Sequence, residues 1–118
     1  MSSLEYCIER AKGLPFIKGQ KRLWCVILDK RGRIIAEASN NYLKTSAAQY
    51  RAAKRVGLED KCYLHSESHA LIKSKGRGCT LIVARVLSDG TPANAKPCPV
   101  CEEMIKIHGK IKEIRYSV

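Results

Sequence analysis

No stretch of this sequence approaches the roughly 20 consecutive apolar residues that a membrane-spanning helix requires. Its opening, MSSLEYCIERAKG, mixes acidic and basic residues where a secretory leader carries an apolar run and a small-residue cleavage site. Both absences lead to the expectation of a soluble, cytoplasmic protein with no membrane partner. Acidic residues are scarce as well: 11 Asp and Glu stand against 22 Lys and Arg, a formal net charge of +11 in 118 residues. Such a surplus makes a polyanionic partner, nucleic acid or a nucleotide phosphate, a natural expectation. The charges are spread through the chain, for example Lys18, Lys21 and Arg22, then Arg51, Lys54 and Arg55, so without a fold they make no patch. Repeats and low-complexity segments are missing too, and residues 1–118 read as one domain. It is long enough to bury a core without disulfides or a metal to support it. Any metal in such a domain is available for chemistry.

Six cysteines are present. In a chain of this size without a secretory signal they are expected to stay reduced. Cys7, Cys25, Cys62 and Cys79 lie among apolar neighbours and read as buried thiols. Only Cys98 and Cys101 form a cluster.

Apolar spacing at Leu4, Cys7, Ile8 and Ala11 predicts a helix over residues 3–12, stopped by Gly13 and Pro15. Residues 22–38 hold two apolar runs around DKRGR and read as a β-hairpin. A basic helix is expected over 46–56. A second follows over 65–75, with Ala70, Leu71 and Ile72 facing inward. TLIVARVL (80–87) is a strand by its β-branched content, SDGTPANAKP a loop, 98–107 a helix, and IKEIRYSV a final strand. A strand, helix and strand in succession imply parallel pairing of the two strands if they are neighbours.

Histidine is scarcer than cysteine, with three in the chain, and two of them flank a glutamate in His65-Ser66-Glu67-Ser68-His69. Cys98-Pro99-Val100-Cys101 has the two-residue spacing that lets both thiolates reach one zinc ion. Pro99 suits the first position of a helix, and a helix N-terminus favours ionised sulfur. Two ligand sets remain open on spacing alone. His65, His69, Cys98 and Cys101 would make a closed four-ligand site, since histidines four apart share a helix face. His65, Cys98 and Cys101 would leave the fourth position to water, with Glu67 beside it to move protons.

The pairing of H-x-E with a later P-C-x-x-C is the zinc deaminase signature, present here as His65-Ser66-Glu67 and Pro97-Cys98-Pro99-Val100-Cys101. The sequence resembles the cytidine deaminase-like superfamily over roughly residues 22–117. Ser39-Asn40-Asn41-Tyr42-Leu43-Lys44-Thr45 is similar to a stretch of small phage-type deaminases.

The resemblance implies an α/β, three-layer cytidine deaminase-like fold with a central mixed sheet of about four strands flanked by helices. It is C-terminally short beside relatives that continue past the fourth strand. By the resemblance, His65, Cys98 and Cys101 hold Zn²⁺ and Glu67 is the proton shuttle. Asn40, with Asn41 as the alternative, contacts the substrate's sugar or base, and Ser66 stands where relatives carry a small alanine. Lys44, Arg51, Lys54 and Arg55 are candidate phosphate contacts. The implied reaction is cytosine to uracil, by attack of zinc-held hydroxide on C4, in a nucleotide or in single-stranded nucleic acid. The alternatives are adenine deamination and a non-catalytic nucleic-acid-binding zinc module. An outer strand near Ile111–Tyr116 leads to the expectation of a homo-oligomer.

Overall fold

The computed structural model describes residues 2–58 and 63–118. The first helix, α1 (Ser3–Lys12), starts on a capping box: the Ser2 hydroxyl accepts from the Glu5 N–H, and the Glu5 carboxylate accepts from the Ser2 N–H. Then come β1 (Arg22–Leu28) and β2 (Ile34–Ser39). Asp29 closes the turn between them, its Oδ1 accepting from the N–H groups of Arg31 and Arg33 at 2.9 Å each. Gly32 there adopts a φ of 79°, a conformation that favours glycine. The chain continues through β3 (Asn41–Thr45), α2 (Ala47–Arg55), β4 (Tyr63–Leu64), α3 (Ser66–Ser74), β5 (Thr80–Val86), β6 (Pro92–Ala93), α4 (Pro99–His108) and β7 (Glu113–Tyr116).

The main sheet runs β2-β1-β5 in antiparallel pairs. On its far side, β5 is shared by two partners. β7 lies parallel to it from Thr80↔Glu113 to Val83↔Tyr116, as the strand-helix-strand order predicts, and β6 lies antiparallel to Arg85 and Val86. The sheet therefore has five strands rather than about four, with a separate β3-β4 ladder. The surplus comes from pairs too short to leave a sequence period. β6 has two residues inside the segment expected to be a loop, and β4 also has two.

Alternation along the strands divides the core into two layers. Cys25, Ile27, Leu81 and Val83 face α2, α3 and α4, where Ala52, Ala53, Ala70, Leu71, Val100, Met104 and Ile105 complete one cluster. Val26, Leu28, Ile82 and Ala84 face α1 and enclose Cys7. Polar pins hold α1 to the sheet: Glu37 accepts from the Tyr6 hydroxyl at 2.7 Å and from the Trp24 indole at 2.9 Å. The α1-sheet-α2/α3/α4 layering is that of the cytidine deaminase-like fold. Among the described residues, no helix is long and apolar enough to cross a membrane.

One expected core residue is corrected. Ala70 and Leu71 are buried, but Ile72 is 44 % exposed, because three consecutive helical positions span too wide an arc to share one face. Of the scattered cysteines, Cys7 and Cys25 are fully buried and Cys79 partly so, while Cys62 lies outside the described residues. Burial pushes the Cys7 thiol up to about 12 and Cys25 well above its ordinary value, so both are inert packing groups.

Candidate metal centre and active-site cavity

Two helices begin at one place. His65 is the N-cap of α3 and Cys98 the N-cap of α4, each with extended backbone, and neither side chain makes the usual capping bond to the backbone of its helix. The side chains turn toward each other. His65 Nδ1 lies 3.5 Å from Cys98 Sγ and 3.1 Å from Cys101 Sγ, one turn further along α4. Pro99 opens that helix, where its missing N–H costs nothing. The ligand atoms of His65, Cys98 and Cys101 all lie within 4.8 Å of one another, and among the described residues no other such group assembles.

This donor set fits zinc. One imidazole nitrogen and two sulfurs are the ligands of an open catalytic site, and a tetrahedral ion with ordinary Zn–N and Zn–S bonds places nitrogen about 3.6 Å from sulfur. The two thiols are unlike. Cys98 is drawn down to about 3, first because the Cys101 S–H donates to it and then through His65. Cys101 is raised well above its ordinary value by the same bond and by burial. The pair thus shares one proton and already carries most of one negative charge.

His69, the rival ligand, is elsewhere. Its Nδ1 bonds to the Ser39 carbonyl at 3.1 Å, and burial lowers its pKa. The closed four-ligand arrangement is therefore not assembled. Although His65 and His69 are four apart, His65 is a cap with non-helical backbone, and its ring swings out toward α4.

Glu67 sits in the first turn of α3, only 4 % exposed. Ser66, itself fully buried, donates its hydroxyl to Glu67 Oε1 at 2.6 Å. Burial is the largest influence on the carboxyl and raises its pKa, against the opposing Ser66 bond. A carboxyl held this way takes up and returns a proton more readily near neutral pH than an exposed one.

The sequence reading missed Gln49. It lies on α2 with no exposed surface, between Ala48 and Ala52 on the face packed against the core. Its Oε1 accepts from the His65 N–H at 3.1 Å and from the Ser68 hydroxyl. Helix α2, whose Arg51, Lys54 and Arg55 are candidate phosphate contacts by sequence, instead bonds through Gln49 to the backbone of the candidate metal-binding histidine. The available signal was a lone polar residue at the same helical spacing as Ala52 and Ala53.

His65, Ser66, Glu67 and Cys98 form part of the wall of a cavity of about 130 Å³. Asn40 lines it too, but its side chain is already engaged: Oδ1 accepts from the Leu23 N–H at 3.2 Å and Nδ2 donates to the Lys21 carbonyl at 3.0 Å. Asn40 retains one N–H and one lone pair for a ligand. Asn41 lines a neighbouring groove and accepts from the Leu43 N–H. Lys44, Arg51, Lys54 and Arg55 are exposed and outside the cavity wall, and Arg55 is paired with Glu103 at 3.6 Å. The cations that do reach the cavity are Lys21, Arg85 and Lys96.

No individual curated protein gives a significant match to the chain. The family model described as the cytidine and deoxycytidylate deaminase zinc-binding region matches residues 3–118. With the His65-Cys98-Cys101 centre beside a buried glutamate, this chain belongs to that family of zinc-dependent deaminases.

Proposed function

We propose that the protein hydrolytically deaminates cytosine to uracil in a nucleotide or in single-stranded nucleic acid. The cavity volume supports this best: about 130 Å³ is close to the roughly 150 Å³ that accommodates a single benzene ring. Adenine, attacked at C6 by the same chemistry, is the second reading, and its two fused rings fit that volume less well.

His65, Cys98 and Cys101 are the ligands in this reading. Zinc held there supplies a Lewis acid that makes water nucleophilic near neutral pH. The chain's own part falls to Glu67, which takes the proton from the attacking water and delivers it to ring N3. It then takes the remaining proton from the hydroxyl added at C4 and gives it to the exocyclic nitrogen, so that the C4 carbonyl forms, the C4–N bond breaks and ammonia leaves. Ser66 orients Glu67, and Asn40 uses its remaining N–H or lone pair to position the base or sugar.

Self-association belongs to the same reading. β7 is paired only with β5 among the described residues, and its Ile114 is 41 % exposed. Only monomer in light scattering at micromolar concentration would remove that part. The deaminase reading is tested by offering cytidine, its mono- and triphosphates, adenosine, and single-stranded DNA and RNA to zinc-loaded protein and measuring ammonia. Release from the cytosine substrates is expected; release from adenosine alone would replace cytosine with adenine.

A further inference from the structure

The cavity's mouth has a composition that its floor does not explain. Three cations from three separate segments line the cavity on its solvent side, Lys21 and Lys96 exposed and Arg85 half-buried: Lys21 just before β1, Arg85 near the end of β5, and Lys96 between β6 and α4. Glu67, on the floor, is the only carboxylate in the lining. Among the described residues, none of the three cations is in an ion pair; the acidic partners present go to Lys12, Arg33, Arg55 and Arg115.

The segments carrying these cations are fixed. The Lys21 N–H donates to the Tyr42 hydroxyl at 3.0 Å, and its carbonyl accepts from Asn40. The Arg85 N–H donates to the buried Ser117 hydroxyl at 3.0 Å, which donates in turn to the Ala93 carbonyl at 2.6 Å. The Lys96 N–H donates to Asn94 Oδ1 at 2.8 Å. Strand alternation places Arg85 on the same sheet face as Leu81 and Val83, the face occupied by α3 and α4. A half-buried guanidinium at that position, with no carboxylate, is an arrangement suited to an incoming anion.

Resting on the cytosine reading, we infer that Lys21, Arg85 and Lys96 form a phosphate subsite at the cavity mouth. The substrate is then a phosphorylated cytosine nucleoside, with the ring at Glu67 and the phosphate ester on the rim. The same chemistry is offered by a free nucleotide and by one residue of a single strand.

Calorimetric titration of zinc-loaded protein with cytidine, cytidine monophosphate and a short single-stranded cytosine oligonucleotide tests this independently of turnover. At least one phosphorylated ligand should bind about tenfold or more tighter than cytidine. That ratio should fall in Arg85→Gln and in Lys96→Gln; the second changes an exposed side chain and spares the packed sheet. A gap for the monophosphate identifies a free nucleotide, and a gap for the oligonucleotide alone identifies a strand. Equal affinities for all three ligands, or a gap that survives both substitutions, would overturn the subsite. A gap without ammonia release from any cytosine substrate upholds the subsite and removes the deaminase reading. Ammonia release without a gap does the reverse.

Discussion

The side-chain oxygen of Gln49 and the backbone N–H of His65 lie 3.1 Å apart, with Gln49 fully buried, His65 half-buried and the hydroxyl of the buried Ser68 bonded to the same oxygen. Through this contact α2, which contributes no ligand, fixes where α3 begins and thus where the imidazole points. Gln49→Leu removes the acceptor and strands two donors, at a cost of about 1–3 kcal/mol. Zinc affinity should fall by about 10- to 100-fold, as for other residues that orient metal ligands. Thermal unfolding and competition with a chelator measure the two effects. Lower stability with unchanged zinc affinity would limit Gln49 to packing.

Glu67→Gln keeps the size and the hydrogen-bonding capacity of the side chain but cannot carry a proton. Turnover should drop by about 10²- to 10⁴-fold, while bound zinc stays stoichiometric by elemental analysis. Near-normal activity would assign the proton shuttle to another group.

His69→Ala separates the two ligand sets directly. Since His69 bonds to the Ser39 carbonyl, the variant should retain its zinc and lose about 1 kcal/mol of stability. Loss of the metal would return His69 to the coordination sphere.

The unequal thiols predict how zinc binding responds to pH. Cys98, at about 3, is ionised throughout the neutral range, while Cys101 stays protonated until well above it. Zinc requires both sulfurs deprotonated, so each ion displaces about one thiol proton, and apparent affinity should rise about tenfold per pH unit between about pH 6 and pH 8. Chelator competition corrected for the chelator's own titration reads the slope. A flat profile would mean that both sulfurs are ionised before the metal arrives.

The metal centre was readable from the sequence because its information is local. His65 and Glu67 are two apart, Cys98 and Cys101 three apart, and Pro99 marks the helix that carries the thiolates. The β1–β2 hairpin and the parallel β5–β7 pair were readable for similar reasons, through turn chemistry and strand-helix-strand order. Gln49, Arg85 and the β3–β4 ladder were harder, since their meaning lies in neighbours distant along the chain. Gln49 looks like one polar residue in a basic helix until Ala52 and Ala53 show which face is buried. Arg85 looks like an interruption in TLIVARVL until the pairing register sets it opposite Leu23 and beside Ala93. The basic residues that stand out in sequence, Arg51, Lys54 and Arg55, lie together on the exposed face of one helix, whereas those lining the cavity come one from each of three segments.

A helix-capping side chain usually serves its own helix, but His65 and Cys98 are given to a shared centre. The first turns of α3 and α4 therefore have a common fastening. When zinc is removed, amide hydrogen exchange should quicken at the start of both helices together, so that metal loading registers as the joining of two helix ends as well as the arrival of a reagent.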